Sequence, residues 1–204
     1  MDLQPNYTLK KSIEEWRERN IIITIAILKT KSESDDDEQE VLHSLDRLEE
    51  FCKEDSHHDW FVFENYLPVL VGLLERKSLE IRCHALFVLY ILAKESDDTK
   101  EQLASIGKLI EFVVMSLGRC SEERKLAVAL LLELSRTKLI HNKIGKAHGC
   151  IFLLVTTKND GDQAASDATQ LLENLSYLDE NVVKMAKANY LSNYSDVLNQ
   201  EMMM

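Results

Sequence analysis

Apolar side chains recur at spacings of three and four along residues 80–95, a pattern typical of an α-helix. The stripe contains Ile81, Ala85, Val88, Leu89, Leu92 and Ala93. Phe87, Tyr90 and Ile91 make the remaining face apolar as well. A helix that is apolar nearly all round is normally buried, so the pattern predicts a helix enclosed by its neighbours.

The same pattern returns at a fixed period along the chain. Residues 122–137 repeat it 42 places on, residues 163–178 repeat it again 41 places later, and a fainter copy lies 41 places upstream. Such a period predicts an internal repeat. One copy cannot bury a helix that is apolar all round, so we expect the copies to stack into a right-handed superhelical rod, an all-α solenoid.

Each copy reads as three helices, of which the third is the long buried one. The second copy predicts a second helix over 67–74, with Pro68 in its first turn, and a third helix from Glu80. The next copy predicts helices over 97–105 and 108–117, with Ser121 capping the third. The following copy predicts a helix from Lys138 that stops at Gly149, a helix over 151–157 and a turn at 159–162. The last copy, 180–188 and 190–199, is incomplete.

Composition narrows the function classes. The net charge of −11 argues against nucleic acid as the main partner, because the phosphate backbone would repel the chain. The 4 cysteines are far apart, with no C-x-x-C pair and no preceding signal sequence, which favours reduced thiols in the cytoplasm, with the nucleus or a membrane surface as alternatives. No apolar run approaches the length of a transmembrane segment.

The first forty residues precede the repeats. Residues 1–20 predict a short helix with the stripe Leu9, Ile13 and Trp16 on one face. The apolar run 21–28 is interpreted as a continued helix, with a strand as the alternative. The acidic run 35–38 is interpreted as a solvated linker whose charges favour the start of the next helix, with an interaction tail as the alternative.

Two sets of residues carry a family resemblance. Pro5, Asn6, Leu9, Ile13 and Trp16 stand in an order that resembles the C-terminal end of a U-box, a small domain that recruits a ubiquitin-charged E2 enzyme. The blocks EIRCHALFVLYILAKES, EERKLAVALLLELS and DATQLLENLSYLDENVVKMAKANY resemble the armadillo repeats of plant U-box E3 ubiquitin ligases, in particular the senescence-associated, stress-related subgroup.

The resemblance divides the chain into three regions. Residues 1–20 correspond to a remnant of the U-box, 21–39 to a connecting helix and acidic linker, and 40–204 to about four armadillo repeats, the last incomplete. The E2-docking loop and central helix of a U-box have no counterpart here. The resemblance therefore implies substrate recognition in protein ubiquitination, with an E2 as partner only where a complete U-box is supplied.

Alignment to the armadillo pattern predicts a concave, protein-binding face on the third helices. This predicted face contains His84, Phe87, Ile91, Leu126, Glu133, Gln170 and Asn174. Phe87, beside His84 and Ile91, is either a hot spot for a protein ligand or is covered by the adjacent repeat. Armadillo grooves of the karyopherin kind carry a ladder of Trp and Asn at these places, which only Asn174 matches.

Residues that could carry catalysis or hold a cofactor are not predicted. The run His57-His58-Asp59 has no second cluster to complete a metal site. Cys83 and His84 diverge on a helix, and no glycine-rich phosphate loop is present. Two hypotheses remain: a substrate-recognition module of a U-box ligase, or a stand-alone armadillo adaptor or decoy without ligase activity. Substrate and oligomeric state do not follow from the sequence.

Overall fold

The computed structural model describes residues 7–31, 37–53, 66–160 and 163–188. Within these ranges the chain forms eleven α-helices and no strand. Their bounds are α1 Tyr7–Lys31, α2 Glu38–Lys53, α3 Leu67–Leu73, α4 Leu79–Glu95, α5 Asp97–Ser105, α6 Leu109–Leu117, α7 Ser121–Leu134, α8 Lys138–Lys146, α9 Cys150–Thr157, α10 Gln163–Leu175 and α11 Asp179–Lys187. A short 3₁₀ turn, Lys158–Asp160, separates α9 from α10.

The helices stack in the order that the repeat predicts. The third helices α2, α4, α7 and α10 pack side by side, each against the next, and the second helices α6 and α9 also contact each other. Equivalent leucines of successive third helices are fully buried, namely Leu48, Leu89, Leu131 and Leu172. Each contributes about 2–3 kcal/mol by leaving water. The core is thus a continuous row along the stack, and the predicted all-α solenoid is confirmed.

Helix α1 runs without a break through the apolar segment 21–28. Ile21, Ile25 and Leu28 are buried, and α1 packs against α2. The segment is therefore helical as predicted, and the strand alternative is wrong. Pro5 and Asn6 lie outside the described residues, as do Asp35, Asp36 and residues 190–199. Among the described helices, none combines the length and apolarity needed to cross a membrane.

The helix ends agree with the sequence in part. Pro68 lies in the first turn of α3, as predicted. Ser121 is the first residue of α7 and Cys120 occupies the N-cap, so the predicted cap is wrong by one residue. Helix α8 ends at Lys146, three residues before the predicted stop. Gly149, with φ of +76°, instead opens α9, because the left-handed turn before a second helix falls there.

A buried carboxylate ties successive third helices together. Arg82 of α4 donates two hydrogen bonds to Glu123 of α7, at 3.0 and 2.9 Å. Arg119 donates a third at 2.7 Å and Ser116 a fourth at 2.8 Å. Burial would raise the pKa of Glu123, but the hydrogen bonds from Arg82, Arg119 and Ser116 outweigh it, so the pKa lies below its ordinary value.

Two lysines donate hydrogen bonds to carbonyls at the C-terminal end of a helix in the preceding copy. Lys143 of α8 donates to the carbonyl of Ala104 in α5 at 3.0 Å. Forty-one residues later, Lys184 of α11 donates in the same way to the carbonyl of Gly145 in α8. Carbonyls in the last turn of a helix lack an intrahelical partner. The ammonium groups supply that partner from one repeat to the next.

Candidate protein-binding site

The predicted face begins where α2 and α4 pack together. His84 Nδ1 lies 2.6 Å from Glu49 Oε1 and 3.5 Å from Asp46 Oδ1. The Lys53 ammonium lies 5.6 Å from the centre of the Phe87 ring and 3.7 Å from Glu49. The structure thus joins His84 and Phe87 of the second copy to Glu49 and Lys53 of the first.

Phe87 is half-buried in this arrangement. The lysine above one side of the ring is close enough for a cation–π contact, which limits the positions that the ring samples. Of the two alternatives for Phe87, coverage by the adjacent repeat is partly met through Lys53, and ligand contact stays a prediction. The neighbouring repeat holds the ring, and part of its surface stays accessible.

The middle of the face is apolar. Ile91 on α4 and Leu126 on α7 are both half-buried, with part of each side chain packed against the core. Apolar side chains that are anchored in this way lose little freedom when a ligand covers them, because the core already restricts their rotamers.

Towards α10, two of the predicted residues bind other side chains of the solenoid. Glu133 is only 6% exposed, and its carboxylate contacts the Lys100 ammonium at 3.3 Å and Arg136 Nε at 3.1 Å. Asn174 donates to Ser135 Oγ of the preceding copy at 2.9 Å. Gln170, by contrast, is exposed. The polar groups of Glu133 and Asn174 are therefore less available to a ligand than the side chains at the α2–α4 end.

Sequence reasoning missed Glu49 and Lys53. His84 and Glu49 are 35 residues apart, which is not the repeat period, so the periodic pattern does not pair them. The available signal is local: Glu49 and Lys53 are spaced i, i+4 on α2, which aligns them on one edge of the helix. That edge faces the next third helix in a stack.

The thiols of Cys52 and Cys83 are poorly suited to nucleophilic chemistry. Burial, with neighbouring carboxylates, raises the pKa of Cys83 to about 11 and that of Cys52 to about 12. The imidazole beside Cys83 is bound to Glu49. Within the described ranges, no three His, Cys, Asp or Glu side chains are grouped so that they could hold a metal ion, and His57, His58 and Asp59 lie outside those ranges.

Curated relatives match almost the whole chain. It is 32% identical over 190 residues to U-box domain-containing protein 43 of Arabidopsis thaliana. That alignment covers 91% of this chain and 23% of that protein. It is 29% identical over 198 residues to U-box domain-containing protein 24 of Oryza sativa subsp. japonica, covering 91% and 24%. The resemblance to plant U-box domain-containing proteins is confirmed, and the chain spans about a quarter of their length. No protein-family model matches the chain.

Designed armadillo repeat proteins are among the solved structures that share this fold. A designed armadillo repeat protein in complex with the peptide (KR)4 superposes with a TM-score of 0.72 at 20% identity, over 86% of this chain and 73% of that one. A computationally designed armadillo repeat protein for modular peptide recognition superposes with a TM-score of 0.72 at 21% sequence identity. The match covers 83% of this chain and 70% of that one. The three-helix copies are therefore armadillo repeats.

Proposed function

We propose that this chain is a protein-binding module of the U-box ubiquitin ligase type, which holds an extended segment of a substrate or regulatory protein across its stacked third helices. The observation that carries the proposal is the continuous packing of α2, α4, α7 and α10. Side chains on their shared face form one long surface, and a segment lying across it can contact several repeats at once.

The α2–α4 end is the proposed anchor point for that segment. Phe87 offers an aromatic surface, and Lys53, Glu49 and His84 surround it with polar groups. An aromatic centre with a polar rim is the usual composition of an interface hot spot. Because the ring is already held by the lysine, a ligand gains contact area at a small cost in side-chain freedom.

Support for the ligand class comes from the comparison structures. A designed armadillo protein with this fold is complexed with a peptide, and short extended peptides suit a face made of successive parallel helices. The proposed ligand of this chain is accordingly a stretch of polypeptide in an extended conformation. The relatives' names support a role in protein ubiquitination.

Selection from a displayed library of random peptides tests the anchor. The whole chain is immobilised, and enriched peptides are then measured against a Phe87→Glu variant. Loss of a hot-spot aromatic lowers peptide affinity by about 30-fold or more. Fluorescence anisotropy of labelled peptides gives the dissociation constants.

Leu139→Glu is the matched control, since Leu139 is 74% exposed on α8, outside the third helices. It places the same charge on an exposed apolar position and should leave peptide affinity unchanged. Peptides that bind wild type and Phe87→Glu equally well, or that lose affinity only with Leu139→Glu, contradict the proposed anchor.

The ligase role and the adaptor or decoy alternative differ in what happens to the bound peptide. The chain is mixed with E1, a panel of E2 enzymes, ubiquitin and a lysine-containing selected peptide, with and without a complete U-box fused before residue 1. We expect transfer to the peptide only with the fused U-box. A fusion that binds the peptide and modifies itself, yet leaves the peptide unmodified, favours the adaptor or decoy alternative.

A further inference from the structure

The proposed binding face becomes acidic where it continues from α4 onto α2. Asp46 and Glu50 stand one period of 41 residues before Phe87 and Ile91, so they occupy the same face one third helix earlier. Both acidic residues are exposed, and the Asp46 side chain keeps 61% of its surface accessible. They are spaced i, i+4, which places the two carboxylates one above the other on the helix. The face thus changes from carboxylates on α2 to apolar side chains on α4.

These two carboxylates differ from their neighbour Glu49 in lacking a basic partner. Glu49 contacts the Lys53 ammonium at 3.7 Å and His84 Nδ1 at 2.6 Å. The same imidazole nitrogen lies 3.5 Å from Asp46, at the longer of its two distances. Within the described ranges, no lysine or arginine pairs with Asp46 or Glu50. Their charges remain on the surface that a ligand would cover.

Lys53 shows which charge this corner of the molecule accepts. Its ammonium lies 3.7 Å from Glu49 and 5.6 Å from the centre of the Phe87 ring. A carboxylate and an aromatic ring both attract a cation. A cation from a ligand would meet the same two kinds of group if it lay against Asp46 and Glu50, whereas a ligand carboxylate would be repelled there.

The packing of the third helices sets the spacing of residues in the ligand. Packed helices lie about 8–10 Å apart, and an extended chain advances about 3.3 Å per residue. A segment that crosses from α2 to α4 therefore covers the distance between them in about three residues. A residue bound on α2 and a residue bound on α4 are then about three positions apart.

We propose that the segment bound by this face is basic: it carries a lysine or arginine that binds Asp46 and Glu50, about three positions from the apolar side chain that covers Phe87. This inference rests on the proposed function, because it assigns the chemistry of the ligand of that same face. Charges at the edge of an interface act mainly on association rate and on the choice between ligands. The two carboxylates therefore select among the peptides that Phe87 anchors.

Two double substitutions that remove the same charge test this assignment. Peptides selected on the whole wild-type chain are measured against Asp46→Asn with Glu50→Gln. We expect an affinity about fivefold lower at low salt, with a smaller difference at high salt because ions screen exposed charges. Glu101→Gln with Glu111→Gln is the control, since both residues are exposed on α5 and α6, outside the third helices. It should leave peptide affinity unchanged.

Charge reversal supplies a second measurement. A peptide whose basic residue is replaced by glutamate should bind wild type weakly and regain affinity for the chain with Asp46→Lys and Glu50→Lys. Three results would overturn the inference and leave the proposed function standing: selected peptides that depend on Phe87 but carry no basic residue near the anchor, binding unchanged by Asp46→Asn with Glu50→Gln, or an equal loss with the control pair. Selection that yields no peptide dependent on Phe87 would overturn both.

Discussion

At the scale of single residues, Gly145 shows how closely two repeats approach. It lies within α8, and a Cβ placed there would collide with Asn181 Oδ1. Asn181 cannot move aside freely, because it is buried and donates to the carbonyl of Leu175 at 3.0 Å. We expect Gly145→Ala to lower the free energy of unfolding by about 1–3 kcal/mol, measured by urea denaturation.

Gly72 is the matched control for this prediction. It also lies within a helix, α3, but a Cβ there meets no atom within 4 Å. Gly72→Ala should raise stability by up to about 1 kcal/mol, because alanine is the better helix former. Opposite signs for the two substitutions would establish the close approach. A stabilising Gly145→Ala would mean that the Asn181 side chain can adopt another rotamer without cost.

At the scale of elements, the second helices α6 and α9 begin with the same backbone turn. Lys108 and Gly149 are 41 residues apart and both have positive φ, 69° and 76°. A residue with a side chain costs about 1–2 kcal/mol in this conformation, whereas glycine adopts it readily. The two equivalent turns thus differ: the one before α9 has the favoured glycine, and the one before α6 has a lysine.

Exchanging these residues gives paired predictions. Gly149→Ala should lower the free energy of unfolding by about 1 kcal/mol, and Lys108→Gly should raise it by about 0.5 kcal/mol after the extra chain entropy of glycine is subtracted. Chemical denaturation of both variants is the measurement. A destabilising Lys108→Gly would show that the contact of the Lys108 ammonium with the Phe112 ring, at 6.0 Å, outweighs the backbone term.

Most of the helices, and little of the candidate site, could be predicted from the sequence. Residues such as Leu89 and Leu131 recur because every copy must bury the same position, so pattern alone reveals α4 and α7. The contact of His84 with Glu49 depends on how two helices pack, and no local spacing encodes it. Ser121 was predicted as a cap from residue type, but the backbone turns one residue earlier, at Cys120.

At the scale of the whole molecule, the Glu123 cluster couples the copies. Its carboxylate is fully buried and holds guanidinium groups from α4 and from the turn before α7. Glu123→Gln removes the charge that these groups require, and breaking a buried pair of this kind costs about 3–5 kcal/mol. Thermal unfolding at neutral pH should therefore show a clearly lower Tm for the variant.

The pH dependence of that difference follows from the lowered pKa of Glu123. A carboxyl with a lowered folded pKa stabilises the fold above its ordinary value of 4.5, and this stabilisation is lost as the pH falls through the folded pKa. The difference in Tm between wild type and Glu123→Gln should narrow as the pH falls through the folded pKa of Glu123. Glu173→Gln, at an exposed position on α10, should show no comparable gap. A gap of constant size down to acid pH would contradict the assigned role.

The lysines that donate to the preceding copy bear on how such a chain can lengthen or shorten in evolution. Lys143 completes α5, and Lys184 completes α8, so each first helix depends on a residue about forty positions downstream. A duplication or deletion of one period keeps this dependence only if donor and acceptor stay in register. Gain or loss in multiples of 41 or 42 residues preserves the register, wherever the breakpoint falls. We therefore expect changes of length in this part of the chain to come in whole periods.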